Sequence, residues 1–159
     1  MDSIYESEYE VYLNKWFDGI ESEISFWDSH IATCFCDPKY QYQIGRKFTL
    51  DDDIPEDAYG RDYYFLDVGS GPYSRCGFHS DKVKLHAVAV DSLAEIYQLL
   101  KDKYSAENEI QLKTGFVEFL NQIFPANSFD MVHMSNALDH SFDPFLGILN
   151  MLRVAKMGG

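Results

Sequence analysis

Two acidic residues, each at the end of an apolar run, have the most evident chemical potential in this chain. The first run, Tyr64–Leu66, leads into Asp67 and then into a Gly-x-Gly turn formed by Gly69 and Gly71. Twenty residues beyond that turn, a second run ends in Asp91. Glycines allow a tight turn and a close approach of the backbone to a ligand, and a carboxylate on the next strand can accept both ribose hydroxyls. The spacing therefore indicates a βαβ unit that binds an adenosine-containing ligand.

Apolar runs along the chain predict four strands, at residues 63–68, 84–90, 110–114 and 129–134. Their alternation with helical patterns is typical of an α/β fold, and we predict a Rossmann-like parallel sheet with helices on both faces. Ligands bind such sheets beyond the carboxyl ends of the strands. The residues at these four ends are Asp67, Asp91, Gly115 and Ser135.

Two helices of this sheet domain are predicted from the residues that start them. Ser92, with Glu95 three residues later, forms a capping-box pattern for a helix that should run to about residue 104. Asp143 followed by Pro144 predicts a second helix start, because an acid suits the cap and a proline suits the first turn. This second helix should end near residue 155.

Residues 1–60 are predicted to form an N-terminal helical cap and a connector, and residues 61–159 the sheet domain. From about residue 3 to residue 31, large apolar side chains recur every three or four positions, and Gly19 should bend or divide this helix. The recurring residues are Tyr5, Tyr9, Tyr12, Trp16, Ile20, Ile24 and Trp27. Such a stripe fits either a helix that packs over the main domain or a lid whose aromatic side chains wall off a substrate pocket.

The chain is acidic, with a net charge of -13 over 159 residues, and it has no basic cluster. A phosphate backbone would be repelled, so we predict no nucleic-acid partner and no anionic membrane partner. No apolar run approaches the roughly 20 residues of a transmembrane helix, and the acidic N-terminal residues are unlike a secretory signal. We therefore expect a cytoplasmic protein.

The three cysteines are Cys34, Cys36 and Cys76. An odd number with two cysteines so close together is a poor basis for disulfides. Cys34 and Cys36 lack the second pair or the neighbouring histidine that would complete a metal site. We therefore expect reduced thiols and no bound metal.

The turn after the first strand favours a ligand without phosphates. A dinucleotide-binding turn has a third glycine where this chain has Ser74, and Pro72 removes an N–H donor that a phosphate would use. These two residues argue against a nicotinamide dehydrogenase, which is the alternative enzyme class for such a turn.

Five segments together resemble the class I S-adenosylmethionine-dependent methyltransferases, and in particular their type 11-like members. The segments are Phe65–Pro72, Asp91, Gly115–Glu118, Asn127–His140 and Arg153–Gly159. The resemblance covers about residues 63–159. The family pattern continues into a fifth strand and an antiparallel pair, so the resemblance implies a domain truncated before its fifth strand.

The resemblance implies S-adenosylmethionine as the cofactor, with Asp91 accepting from the ribose. Phe116 and Val117 would flank the adenine, and Ser135 or Asn136 would border the methionine end. Phe116 replaces the acid that usually accepts from the adenine amino group, so recognition there would rest on stacking and backbone groups. The full set of expected cofactor-binding residues is Asp67, Gly69, Ser70, Gly71, Asp91, Ser92, Phe116, Val117, Ser135 and Asn136.

His140 and Asp139, just beyond the fourth strand, are the predicted catalytic residues. Methyl transfer by in-line displacement mainly requires positioning, but an alcohol or phenol acceptor also needs a proton acceptor, and histidine titrates in the right range. A loop histidine bonded to backbone is the alternative for His140. His133, inside the fourth strand, is expected to serve packing.

The function indicated is methyl transfer to an oxygen or nitrogen atom of a small-molecule acceptor. A sugar, a phenol and a small amine fit the acidic, aromatic N-terminal segment about equally. The alternative is a truncated, catalytically inactive domain that binds the cofactor or a partner. Without a fifth strand, the fourth strand would be an exposed edge, so self-association through that edge is also expected.

Overall fold

A four-stranded parallel sheet forms the centre of the fold. The computed structural model describes residues 2–34, 51–74, 76, 79–105 and 111–158, and in the first helix it describes the side chains of residues 10, 11 and 13–33. The strands are β1 (Asp62–Val68), β2 (Lys84–Asp91), β3 (Gln111–Thr114) and β4 (Met131–Met134), in the spatial order β3-β2-β1-β4. The predicted Rossmann-like parallel sheet is confirmed.

Helices flank the sheet. They are α1 (Asp2–Cys34), α2 (Ala94–Lys103), the single turn α3 (Leu120–Ile123) and α4 (Pro144–Val154). In the described part of the chain, none of these helices has both the length and the apolarity that crossing a bilayer requires.

The period-two alternation of β1 divides the core into two layers. Leu66 and Val68 point to the layer that contains α4, where they pack with Val154. Tyr63 and Phe65 point to the opposite layer and pack with a cluster that includes Cys76. Asp67 has the same parity as Tyr63 and Phe65, so its side chain leaves the sheet on the Cys76 side.

The N-terminal helix α1 packs against α2 through a third apolar cluster. Ile31 of α1 is fully buried there, beside Leu93, Tyr97 and Leu100. Ile20, Ile24 and Trp27 pack against the same cluster, as the sequence stripe predicted. The side chains of Tyr5, Tyr9 and Tyr12 lie outside the described part. Gly19 does not divide α1, which runs as one helix of 33 residues.

The capping residue predicted for the start of α2 was wrong. Leu93, not Ser92, is the capping residue, and no side chain caps the helix there. The N–H of Leu93 donates to the Asp91 carboxylate, so the acid at the end of β2 fixes the residue before the helix but does not cap the helix itself. The predicted start of α4 is confirmed, because the Asp143 carboxylate accepts from the N–H of Leu146 and Pro144 opens the helix.

The strands agree with the prediction to within two residues at the ends that can be compared. Phe129 lies outside β4, where it forms an isolated bridge with Ala155. The described residues between Gly71 and Asp81 form turns and contain no helix. Within the described sheet, β4 is an edge strand. Self-association through that edge and the division at residue 60 remain predictions.

Candidate functional site

A cavity of about 630 Å³ lies beyond the carboxyl ends of the four strands. Its volume falls within the range of about 300–1,000 Å³ that is typical of small-molecule pockets. Every residue that the sequence predicted for cofactor binding or catalysis lines this one cavity: Asp67, Gly69, Ser70, Gly71, Asp91, Ser92, Phe116, Val117, Ser135, Asn136, Asp139 and His140.

The turn after β1 is tied directly to the end of β2. Gly69 and Gly71 both have φ of +64°, a conformation that favours glycine. The N–H of Gly69 donates to the Val90 carbonyl at 2.8 Å, and the N–H of Gly71 donates to Asp91 Oδ2 at 2.9 Å. The Ser70 hydroxyl donates to the Gly71 carbonyl at 2.9 Å. These bonds hold the turn beside the acid that was predicted to bind ribose.

Asp91 is almost fully buried, with an exposed fraction of 8%. Burial raises the pKa of its carboxyl, and the hydrogen bonds from the N–H groups of Leu93 and Gly71 oppose that rise. Each carboxylate oxygen accepts one of these bonds. Since a carboxylate oxygen has two lone pairs, each oxygen keeps capacity for a ligand hydroxyl on the cavity side.

Aromatic rings form the wall where the adenine was expected. The ring of Phe116 lies 5.2 Å from that of Trp16 and 6.0 Å from that of Phe142, measured between centroids. Val117 borders the cavity but is buried against α4, where Gly147 leaves room for it. Trp16 is a wall residue that the cofactor motifs did not identify, since it comes from the N-terminal helix.

The loop after β4 closes the opposite side of the cavity. Asn136 adopts a left-handed conformation with φ of +52°, and Ala137 packs against Gly69 so closely that no side chain would fit on that glycine. Ser135, which precedes Asn136, also borders the cavity. A short 3₁₀ turn, Leu138–His140, then places His140 at the rim.

His140 lies between two carboxylates. Its Nε2 atom is 3.7 Å from an Asp139 oxygen, and its Nδ1 atom is 4.0 Å from an oxygen of Glu23 on α1. The His140 side chain remains 59% exposed. Glu23 is a site residue that the sequence analysis missed, because its place on an amphipathic helix carries no motif.

Glu23 also connects α1 to the sheet domain. One of its oxygens accepts a hydrogen bond from the Trp27 indole N–H at 2.7 Å and another from the Tyr97 hydroxyl at 3.5 Å. The ring of Trp27 lies 3.0 Å from the point where a side chain on Gly71 would begin. The N-terminal helix therefore packs on the domain and lines the cavity, and its role as a lid over a substrate pocket stays a prediction.

A second contact, at Asp28, attaches α1 to the C-terminal end of α2. Asp28 accepts hydrogen bonds from the Lys103 ammonium at 2.8 and 3.0 Å and from the Tyr104 hydroxyl at 2.9 Å. These bonds lower the pKa of Asp28 below its usual value. The ion pair between Asp28 and Lys103 is partly exposed. It therefore fixes the position of α1 more than it adds to the free energy of unfolding.

Asp67 is 3% exposed and pairs with His133, which is its direct neighbour in the β1–β4 register. The Nδ1 atom of His133 lies 2.8 Å from Asp67 Oδ1 and 3.4 Å from Cys76 Sγ. Hydrogen bonding to Asp67, and then to Cys76, raises the pKa of His133 to about 10. His133 therefore contacts the ring of Phe65 and also pairs with Asp67.

Comparison with known proteins places this site in a family. The family model described as "Methyltransferase domain" matches residues 66–159, more than half of the chain. The chain therefore belongs to this methyltransferase-domain family, and the predicted resemblance to class I S-adenosylmethionine-dependent methyltransferases is confirmed. S-adenosylmethionine is the cofactor that this membership supports.

Individual relatives are more distant. A phosphoethanolamine N-methyltransferase of Plasmodium falciparum is 28% identical over 75 residues, which are 47% of this chain and 27% of that protein. A putative S-adenosyl-L-methionine-dependent methyltransferase from Methanococcus maripaludis has a TM-score of 0.54 at 19% identity, covering 86% of this chain and 59% of that one. An arsenic(III) S-adenosylmethionine methyltransferase from Chlamydomonas reinhardtii has a TM-score of 0.51 at 19% identity, with coverages of 75% and 46%. The chain spans about a quarter of the length of the P. falciparum relative. The M. maripaludis and C. reinhardtii structures have the same fold as this chain.

Proposed function

We propose that this chain binds S-adenosylmethionine in the cavity and supports transfer of its methyl group to a small-molecule acceptor. The observation that carries the proposal is the convergence of the predicted site residues on one cavity, with the turn at Gly71 bonded to the acid at Asp91. The turn is a poor pyrophosphate cradle, since Pro72 has no N–H group and the N–H groups of Gly69 and Gly71 already donate within the protein.

Each part of the cavity has a role in holding the cofactor. Asp91 accepts from the ribose hydroxyls, and the rings of Phe116 and Trp16 contact the adenine. The Gly69–Gly71 turn and the loop at Ser135 border the methionine end. S-adenosylmethionine supplies a methyl group on a sulfonium centre whose thioether leaves without charge. The remaining task of the chain is to hold the acceptor in line with that methyl group.

The acceptor is an oxygen or nitrogen nucleophile, and the charges around the cavity favour a protonated amine. Glu23 and Asp139 lie at the rim beside His140, whereas Lys15 is the single Lys or Arg among the lining residues that the structure describes. A cleft lined mainly by one sign of charge concentrates ligands of the opposite sign. The P. falciparum relative is by its name a phosphoethanolamine N-methyltransferase. His140 would take the proton that such an amine must lose before it can attack.

Calorimetric titration of the whole chain with S-adenosylhomocysteine and, separately, with NAD⁺ tests this proposal. We expect binding of S-adenosylhomocysteine and no binding of NAD⁺. Binding of NAD⁺ alone would replace the methyltransferase proposal with a dehydrogenase. A panel of small amines, phenols and sugars, assayed for methyl transfer, then separates an active domain from one that only binds the cofactor.

A further inference from the structure

Three potential metal ligands meet at the inner end of the cavity. Asp67 and Cys76 are each 3% exposed, and His133 is half-buried between them. Their ligand atoms, Oδ1, Sγ and Nδ1, all lie within 4.8 Å of one another. The residues come from β1, from the crossover after it and from β4, so the fold, not a local sequence motif, brings them together.

Hydrogen bonding accounts for only part of this arrangement. The same ring nitrogen, His133 Nδ1, faces both Asp67 Oδ1 at 2.8 Å and Cys76 Sγ at 3.4 Å. An imidazole nitrogen carries at most one proton, so it can make one good hydrogen bond at that position and not two. Once Nδ1 of His133 and Sγ of Cys76 have lost their protons, three electron-pair donors converge at one point, as the ligands of a metal site do.

We propose that Asp67, Cys76 and His133 form a binding site for Zn²⁺. Zinc bonds to sulfur, nitrogen and oxygen are roughly 2.0–2.3 Å long, so two ligands of one zinc ion lie about 3–4 Å apart. The two observed separations require only small adjustments to reach that geometry. A set of one thiolate, one imidazole and one carboxylate suits zinc, whereas Mg²⁺ and Ca²⁺ prefer oxygen ligands alone.

The site has an access route and an open coordination position. Asp67 and His133 line the cavity, while Cys76 approaches from the apolar layer beneath β1. An ion could therefore enter through the cavity and keep a water molecule on that side, as zinc sites with three protein ligands do. The proposal concerns metal binding and does not depend on methyl transfer.

X-ray absorption spectroscopy of the unmodified, zinc-loaded chain tests the site without any substitution. We expect one zinc per chain, with one sulfur and otherwise nitrogen or oxygen neighbours. Two sulfur neighbours would assign the zinc to Cys34 and Cys36 and overturn the proposal. Failure of chelator-treated protein to bind Zn²⁺ in a competition titration would also overturn it.

Two sets of variants assign the ligands. Cys76→Ser and His133→Gln should each weaken Zn²⁺ binding by more than the roughly 10- to 100-fold that loss of an outer-sphere partner costs. The matched control is the double variant Cys34→Ser/Cys36→Ser, which removes the other two thiols and should bind Zn²⁺ as the parent does. Cobalt substitution gives a second readout, because a thiolate-to-cobalt charge-transfer band should persist in the control and vanish in Cys76→Ser. The opposite pattern would contradict the assignment.

Discussion

The backbone N–H of Gly71 donates a hydrogen bond to the carboxylate of Asp91 at 2.9 Å. This bond joins the turn after β1 to the end of β2, the two parts of the chain that were expected to hold the cofactor. Asp91 also accepts from the N–H of Leu93, so one buried acid positions both the glycine turn and the start of α2. Its contribution to ligand binding must therefore be measured separately from its contribution to the fold.

Replacement of Asp91 should affect binding and stability together. Asp91→Ala should weaken S-adenosylhomocysteine binding by about 1.5–3 kcal/mol, roughly ten- to a hundredfold in Kd, because it removes the acceptor of the ribose hydroxyls. Asp91→Asn should not rescue the protein, since both carboxylate oxygens face N–H donors and an amide would set a donor against one of them. Calorimetry gives the affinity, and urea unfolding gives the stability.

The control for Asp91 is Asp130→Asn. Asp130 also accepts a bond from a backbone N–H, that of Tyr64, and it lies away from the cavity. We expect this variant to lose stability while it keeps the parental affinity for S-adenosylhomocysteine. An unchanged Kd in Asp91→Ala would remove Asp91 from the cofactor site.

A side chain on Gly71 should be harmful for two physical reasons. Its φ of +64° costs a non-glycine residue about 1–2 kcal/mol, and a methyl group there would begin 3.0 Å from the Trp27 ring. Gly71→Ala should therefore lower the free energy of unfolding by more than the backbone cost alone and should weaken S-adenosylhomocysteine binding. Chemical denaturation and calorimetry measure the two effects.

Gly60 provides a matched control for this substitution. It has φ of +76°, but a methyl group on it would meet nothing within 4 Å. Gly60→Ala should therefore show the backbone cost alone, with no change in ligand affinity. Equal losses of stability in the two variants would mean that the Trp27 contact does not constrain the turn.

Strand ends could be predicted from the sequence because they follow from general rules. Apolar runs marked the four strands, and parallel strands bring their carboxyl ends to one edge of the sheet. The pairing of Asp67 with His133 could also have been predicted from the sequence. Each is the last residue but one of its strand, and the two are register neighbours.

Other features depended on packing that no local pattern encodes. Cys76 lies in a crossover without helical periodicity, so its position beside His133 could not be predicted. The stripe on α1 includes Trp16 but did not show which surface it covers. Glu23 does not belong to the stripe and was missed. The Ser92 cap was wrong because the helix begins one residue later: Asp91 binds the N–H of Leu93, and Leu93 becomes the capping residue.

The attachment of α1 should weaken in acid. Lys103 and Tyr104 lower the pKa of Asp28 below its usual value of 3.8. A carboxyl with a lowered pKa in the folded state stabilises that state fully above its unfolded pKa, and this stabilisation is lost as the pH falls through the folded pKa. Below about pH 4 we therefore expect α1 to loosen. Acrylamide quenching of Trp16 and Trp27, the two tryptophans of the chain, measures the change.

Two variants make this pH prediction specific. Asp28→Asn should raise quenching near neutral pH and remove part of its acid dependence. Asp62→Asn is the control, because Asp62 also has a pKa lowered by its partners, Lys84 and His86, and both partners lie on β2. If both variants changed the quenching alike, the effect would reflect general acid destabilisation and not the Asp28 contact.

His140 should matter for turnover more than for cofactor binding. If His140 accepts the acceptor's proton, His140→Gln should lower kcat by about 10²–10⁴-fold with little change in the Kd for S-adenosylhomocysteine. Glu23→Gln should give a smaller loss of kcat, since Glu23 positions the imidazole from 4.0 Å and does not take the proton itself. His30→Gln is the matched control, because His30 also lines the cavity but stacks on Phe26. Comparable losses of kcat in the His30 and His140 variants would show that both act through the shape of the cavity, and a raised KM with unchanged kcat in His140→Gln would make it a binding residue.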